Sequence, residues 1–394
     1  MRVLAAVPMP RSERVGLGDA PGRVLAEQVR SPIDLPVFDN SAMDGYALRA
    51  TDVTSATSGS PARLRLGGRV AAGQVFAGEV KPGYCVRLFT GSPLPAGADT
   101  VAMQEDTRVD SSAPSEVRIL APVSPGADVR FRGEDVRQGS TLAKAGEVLS
   151  VGRIGLLAAG GSARVQMGRQ PVVGLLASGS ELTEPGRPLR PGRIYESNRT
   201  ALATLTRRAG AIPKTYPLLA DALTGTRLAL AKAFKQCDVV VTSGGLSVGE
   251  TDFLKQAFEH IGGELESWKV AIKPARPFVF GRYRRKLFFG LPGNPVSAFV
   301  TFLLLVRPAL LRWQGATAVA LPAHPGVLAD PLANQDERRH FMRVTVDTSG
   351  KIRPAGMQAS HTLSSLAAAN GLVVVPAHTT LAAGTVVSVL RWET

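Results

Sequence analysis

Cysteine is nearly missing from this chain of 394 residues: Cys85 and Cys237 stand far apart, each inside an apolar, strand-like run. That excludes a disulfide framework and a zinc site built from four cysteines or from a pair of cysteines and a pair of histidines, and both thiols read as core residues. The five histidines, His260, His324, His340, His361 and His378, show no metal-ligand spacing, and nothing in the chain has the signature of a nucleophile triad. Aromatic residues make up only 6% and the arginines are scattered. No helix therefore gathers Lys and Arg into a groove-reading face, and nucleic acid is not an expected partner. Long apolar runs are lacking too. The most apolar segment, Val296 to Leu311, carries Arg307 and Pro308 and falls below the ~20 residues of a membrane span. Met1 to Pro10 is broken by two prolines and has no secretory pattern. The expectation is a cytoplasmic protein without a membrane partner.

Acidic residues are in deficit. Lys and Arg number 46 against 32 Asp and Glu, a formal charge of +14, and the sequence pI is near 10.3. Such a surplus favours anionic partners, a small anionic ligand among them. The hydrophobic fraction of 44% and charged fraction of 20% are those of a globular protein, and the length suggests about two to four domains.

Along the chain, Arg23 to Val29 reads as a short helix or strand leading to Ser31-Pro32, followed by an aperiodic segment, Leu35 to Ala47, rich in turn residues. Between Pro61 and Ala145, short strands at Tyr84 to Phe89, Asp99 to Met103 and Glu116 to Leu120 alternate with Pro/Gly turns, the pattern of a small all-β unit. Residues 146 to 168 suggest a small helix. From Pro171 to Leu311, strand and helix periods alternate. Val172 to Ala177 is a strand, Asn198 to Ala209 a helix, and Asp221 suits the N-cap of a helix over Ala222 to Gln236. Strands are predicted over Trp268 to Ile272, Phe278 to Gly281 and Lys286 to Phe289. Asn294 and Pro295 fit N-cap and N1 of a helix over Val296 to Leu311. This is a doubly wound α/β pattern. Phe341 to Val346, Leu372 to Val375 and Thr385 to Trp392 make a second small β unit.

The stretch from Asp238 to Asp252 is the most informative. Val239, Val240 and Val241 suit a strand buried on both faces of a parallel sheet, and helical spacing resumes at Phe253. Ser243, Gly244, Gly245, Ser247 and Gly249 lie between, either as a tight turn or as a cradle whose N–H groups face an anion. Glu250 and Asp252 stand where carboxylates could hold a bridging Mg²⁺. Open α/β sheets bind ligands at the carboxyl ends of their strands, where Ser178 to Glu181 and Pro292 to Pro295 also fall. Glu181 and Asp252 are expected to approach each other there, with two helix N-termini supplying N–H groups. Lys269, Lys273 and Arg276 stand near a strand end, either solvated or neutralising an oxyanion.

Asp39-Asn40-Ser41-Ala42-Met43-Asp44-Gly45-Tyr46-Ala47, Thr90-Gly91, Arg132-Gly133-Glu134-Asp135, the Ser243 to Asp252 loop, Lys273-Pro274 and Leu291-Pro292-Gly293-Asn294-Pro295 occur in this order. Together they resemble the signatures of the molybdopterin molybdenumtransferases, the MoeA-like proteins similar to the E domain of gephyrin, over nearly the whole chain. The resemblance implies a multidomain α/β-plus-β protein. Its centre would be a doubly wound, mostly parallel sheet of the MoaB/MogA kind over 169–311, with a β-rich lid over 31–137. A discontinuous linker and dimerisation domain would span 1–30 and 138–168, and a small C-terminal β-barrel 312–394.

The resemblance also implies a Mg²⁺-dependent reaction in which adenylylated molybdopterin and molybdate give molybdenum cofactor and AMP. Carried over by position, Glu181 and Asp252 look like metal-side and catalytic carboxylates, with Asp221 beside them. Ser243, Gly244, Gly245 and Ser247 look like the pterin-phosphate cradle. Lys269, Lys273 and Arg276 would hold anions, molybdate included, near Pro292 and Pro295, and Arg343 and Ser360 would border the same cleft. Asp44, Thr90 and Asp135 would serve the other subunit's site in a homodimer. The related adenylyltransferase and molybdoenzymes that receive the cofactor would be protein partners. The chain departs from the family's commoner residues at Ser180, at Glu196-Ser197 and at Ala222, where carboxylates are frequent at Ser180 and Ala222. A molybdopterin-binding scaffold of the same fold with weakened catalysis is therefore an alternative.

Overall fold

The computed structural model describes residues 2–71, 73–245, 253–275 and 277–392, with the backbone alone at 267–269. The chain divides into two compact units, one of Met1–Glu27, Ala145–Ser150 and Arg164–Thr394, the other of Gln28–Lys144 and Val151–Ala163.

The smaller unit is built on a six-stranded sheet. Its strands are β1 (Gly45–Leu48), β2 (Ala62–Val70), β3 (Tyr84–Leu88), β4 (Thr100–Met103), β5 (Thr107–Val109) and β6 (Glu116–Ile119), in the order β4-β1-β3-β2-β6-β5. Alternating side chains of these strands, Leu64, Cys85, Val117 and Ile119 among them, form one apolar cluster. Cys85 is fully buried, as its apolar run predicts, and burial pushes its thiol up to about 12. Helix α1 (Val151–Ala159) buries Leu157. The glycine after it has a reason, since a Cβ on Gly160 would lie 2.7 Å from Leu142.

In the larger unit, Ser12–Gly16 pairs antiparallel with Arg164–Gly168. The strands that carry the site are β7 (Val172–Ala177), β8 (Ile212–Thr215), β9 (Val239–Ser243), β10 (Glu264–Lys269), β12 (Pro277–Tyr283) and β13 (Lys286–Leu291). They form one sheet in the order β8-β7-β9-β13-β12-β10. The first four are mutually parallel, and β12 and β10 add antiparallel at the edge. Central β9 reads Val-Val-Val-Thr-Ser and is buried at every position, which is why its sequence is a continuous apolar run and not an alternation. Helices α2 (Asn198–Arg208), α3 (Leu223–Gln236), α4 (Phe253–His260) and α5 (Pro295–Trp313) cover the two faces. Phe258 of α4 stacks on Phe288 of β13 at 4.3 Å between centroids.

Helix α5 extends slightly past the predicted Val296 to Leu311 at both ends. It runs 19 residues through a π-helical turn at Phe302–Val306, long and apolar enough by those measures to span a membrane. Val296, Ala298, Val300, Phe302, Leu303, Val306, Ala309 and Leu310 are instead buried in the unit's main core. The helix is apolar because it is interior.

Five strands, β14 (Ala323–Leu328), β15 (Arg339–Val346), β16 (Lys351–Pro354), β17 (Gly371–Val375) and β18 (Val386–Leu390), close into a small barrel. Their order is β15-β16-β14-β18-β17, and β17 pairs back onto β15. The expected strand from Trp268 to Ile272 is in fact two. β10 ends at Lys269, and β11 (Ile272–Lys273) pairs parallel with the start of β15, Lys273 opposite His340. That step joins the lysine to the barrel.

Candidate functional site

Two cavities open at the carboxyl ends of the parallel strands, where the sheet leaves backbone groups and loops without strand partners. The first, of about 720 Å³, is lined by the ends of β7 and β9, the start of α2, the Gly293-Asn294-Pro295 turn, and Glu181, Asp221 and His361. The second, of about 530 Å³, is lined by Lys273, Pro274, Arg338, His340, Pro292, Ser297 and the Gln358-Ala359-Ser360 loop. Pro277, Gly293 and Asn294 line both. They form a shared wall.

The first cavity is shaped mainly by backbone. Gly244 and Gly245 take φ of +84° and +70°, and a Cβ on them would come 2.4 Å from Ser178 O and 2.6 Å from Ser178 Oγ. The two glycines are required by the packing of one loop on the other. The Gly244 N–H donates to Leu291 O at 3.2 Å, so this residue contributes shape and not a donor for a ligand. Asn198 ties the wall together: its Nδ2 donates to Ser243 Oγ at 2.6 Å and to Gly293 O at 2.7 Å. Ser243 Oγ in turn lies 3.3 Å from Pro292 O.

The helix ends differ from expectation. At α2 the Arg199 N–H donates to Glu196 Oε1 at 2.8 Å, and at α5 the Val296 N–H donates to Ser360 O at 3.2 Å. Both early N–H groups are spent inside the protein. Asn294 stands at the N-cap of α5 without a side-chain cap: Pro295 has no N–H, the Val296 N–H goes to Ser360 O, and Asn294 Nδ2 donates to Ser360 Oγ at 3.1 Å. Asp221 is likewise no N-cap. Helix α3 starts at Leu223 after an uncapped Ala222, while Asp221 Oδ2 accepts from the N–H and Oγ of Ser180 at 2.9 and 3.0 Å.

Glu181 and Asp221 are the exposed carboxylates of this cavity. The Glu181 carboxylate lies over Gly179, where an added Cβ would meet both its oxygens at 2.7 Å. Glu196 lies deeper and is paired with the buried Arg199, which donates to Glu196 Oε2 at 2.9 Å and to Glu184 Oε2 at 2.7 Å. Among the described residues no three metal-binding side chains cluster. Two exposed carboxylates, Glu181 and Asp221, are what this cavity offers a cation, and Mg²⁺ takes one or two carboxylates with water and substrate phosphate as its other ligands.

The second cavity carries two basic side chains, Lys273 and Arg338, in its wall. Arg338 and Asp336 form a fork, with Nε and Nη2 donating to the two carboxylate oxygens at 3.0 and 3.1 Å, while Lys273 Nζ stands 3.6 Å from Asp336 Oδ2. The hydrogen bonds from Arg338 hold the Asp336 carboxyl well below the usual carboxylate range. His340 is 3% exposed with Nε2 unpartnered, and burial first, then the neighbouring Lys273 and Arg343, push it down to about 4. It is a neutral imidazole at neutral pH. Arg343 lies behind the cavity, fully buried. Its Nη2 donates to Met357 O and Ala359 O at 2.7 and 3.2 Å, bracing the loop that presents Gln358 and Ser360.

The structure thus brings Glu181, Asp221, Ser243, Gly244, Gly245 and Pro295 to one cavity, and Lys273, Pro292 and Ser360 to the other. Asp252, Ser247 and Arg276 lie outside the described residues, as does the side chain of Lys269. In the smaller unit, Asp44 accepts from the N–H and Oγ of Thr90 at 2.8 and 2.9 Å, hydrogen bonds that lower its pKa. Asp135 donates its N–H to Leu35 O nearby. Sequence reasoning missed Asn198, Asp336, Arg338 and His340. Asp336-Glu337-Arg338 is a spacing at which an aspartate accepts from the residue two ahead, but that signal alone reads as a turn.

Comparison with known proteins follows the same order along the chain. Residues 1–161 match the family described as "MoeA N-terminal region (domain I and II)", 174–312 "Probable molybdopterin binding domain", and 325–392 "MoeA C-terminal region (domain IV)". A molybdopterin molybdenumtransferase of Haemophilus influenzae is 36% identical over 380 residues, covering 95% of this chain and 92% of the relative. Molybdopterin molybdenumtransferase 2 of Mycobacterium tuberculosis is 38% identical over 388 residues, covering 96% and 94%. The chain belongs to the molybdopterin molybdenumtransferase family. A crystal structure of the molybdopterin biosynthesis MoeA protein of Pyrococcus horikoshii superposes with a TM-score of 0.83 at 31% identity, covering 99% of this chain and 97% of that one. The family's multidomain architecture is therefore this chain's, mixed sheets and closed barrel included.

Proposed function

We propose that this chain inserts molybdenum from molybdate into adenylylated molybdopterin, hydrolysing the adenylyl phosphoanhydride to release molybdenum cofactor and AMP. One observation carries the reading: a carboxylate-bearing cavity and a lysine-bearing cavity share the wall Pro277, Gly293 and Asn294. A polyanionic pterin in the first and an oxyanion in the second would meet across that wall. The names of the relatives, which act on molybdopterin, support the same assignment.

In this reading Ser243, Gly245 and Asn198 shape the seat of the pterin phosphate, with Ser247 assigned to phosphate binding from its motif alone. Glu181 and Asp221 would hold Mg²⁺, with Asp252 assigned beside Glu181 from its motif; the ion supplies charge neutralisation to the phosphate being cleaved. Lys273, with Lys269 and Arg276 assigned from sequence, binds molybdate through charge-assisted hydrogen bonds. Ser360 and Ser297 offer hydroxyls, and His340 a donor without a charge. Pro292 and Pro295 keep the dividing turn rigid, and Arg343 positions the Gln358 to Ser360 loop. Asp44, Thr90 and Asp135 complete the site of a second copy in a cytoplasmic homodimer. The adenylyltransferase would deliver the substrate, and molybdoenzymes would take the product.

The test is AMP release by purified protein given adenylylated molybdopterin, Mg²⁺ and molybdate. The expected result is release that requires molybdate and that slows in Glu181→Gln without weaker molybdate binding. Release that ignores molybdate, or none at all, overturns the proposal.

A further inference from the structure

Among the described residues, the basic side chains around the second cavity are not equally available. Arg338 is nearly spent on scaffolding: Nε and Nη2 grip Asp336, and Nη1 donates to Ile272 O and Ala275 O, both at 3.2 Å. It clamps the loop before β15 to the segment that carries Lys273. His340 is neutral. Lys273 differs from both. Its one polar contact among the described residues is Asp336 Oδ2 at 3.6 Å, longer than a hydrogen bond, and its side chain is 37% exposed. Its ammonium has donors to spare.

Asp336 cannot follow the lysine. Its Oδ1 accepts the Arg338 N–H at 3.1 Å, and its own N–H donates to Asn334 Oδ1 at 3.1 Å. The buried Asn334 is itself fixed by Nδ2 donating to Arg338 O, Val375 O and Pro376 O. An anion entering the cavity meets a partly exposed cation beside a carboxylate held in place by Arg338.

We infer that Asp336 is a counter-carboxylate of the oxyanion cavity: it holds Lys273 at the rim and competes with the incoming anion for that ammonium, so that binding is an exchange of partners. The inference rests on reading this cavity as the molybdate site. Asp336 touches no substrate in this scheme and is a positioning residue. Without it Lys273 would carry an uncompensated charge and grip oxyanions more tightly, and release would slow. With it the cavity keeps a weaker, reversible hold, suited to an anion that must move on to the pterin.

Calorimetric titration of the full chain with molybdate tests this. In Asp336→Asn, molybdate binding is expected to tighten by about two- to fivefold, the range for removing one partly screened charge neighbour. KM for molybdate should fall while kcat does not rise. Asp336→Ser is a second charge-free variant should the asparagine disturb the loop. The gain must vanish when Lys273→Met is combined with either, as a double-mutant cycle requires. A merely structural role would weaken binding and would not depend on Lys273. Unchanged or weaker binding in both charge-free variants overturns the inference while leaving the site assignment intact. Wild-type protein that binds no molybdate, or binds it equally well as Lys273→Met, overturns both together.

Discussion

The two cavities of the larger unit sit side by side and are made by opposite means. The first is backbone: positive-φ glycines, turn carbonyls and an asparagine that ties strand ends together, with Glu181 and Asp221 at its exposed edge. The second draws on side chains: the partly exposed pair Asp336 and Arg338, the buried His340, and the buried Arg343 behind it, with Lys273 set opposite His340 at the start of β15. A cavity of backbone keeps its shape at any ionic state and takes its charge from the ligand's counterions. A cavity that carries loosely paired charge is sensitive to every group that balances it.

Perturbations should therefore separate the two. The largest effect is expected for Arg199→Ala, which leaves the buried Glu196 carboxylate unpaired beneath the first cavity and should cost about 3–5 kcal/mol in urea unfolding. Molybdate binding by the folded fraction should survive it, and its loss would mean that the cavities are not separately built. Next comes the pH dependence of stability. His340 has a folded pKa near 4 against about 6.5 unfolded. The unfolded chain thus binds more protons between those values. The stability due to His340 is fully present above pH 6.5 and is lost as pH falls from 6.5 to 4, by about 2–3 kcal/mol. His340→Gln should flatten that slope, and a slope that persists would place the titration elsewhere.

Gly244→Ala should cost about 1–3 kcal/mol, because its φ of +84° and the 2.4 Å approach to Ser178 O both resist a methyl group. Pterin binding should fall with it and molybdate binding should not. The smallest effect on stability is expected for Lys273→Met, whose side chain is partly exposed. Its molybdate affinity should drop about tenfold or more, the loss of one charged hydrogen bond of ~1.5 kcal/mol, with pterin binding unchanged. Equal losses of both ligands would show one site instead of two.

Much of this arrangement was legible in the chain. The Val239 to Val241 run, the glycines after it and Pro295 at the head of a long apolar helix mark strand, loop and helix through local preferences that the tertiary structure did not need to overrule. The carboxylates and amides were less legible. Asp221 reads as a helix cap and turns to Ser180, 41 residues away, and Asn294 reads as a cap and turns to Ser360, 66 residues away. Local rules rank an N-cap by its own helix and know nothing of a competing donor or acceptor brought in by another loop.

By itself the sequence determined the order of β, α/β and β regions, the parallel core strand, the surplus of positive charge and the motifs that mark the family. Those are properties of period, composition and contiguous residues. Only the tertiary structure decided which N–H groups and carboxylates are already spent, that Lys273 belongs to a strand paired with the barrel at His340, and that Asp336 faces it. Each of these depends on partners far apart in sequence. The free energy of a buried hydrogen bond or charge depends on which of them the fold brings within reach.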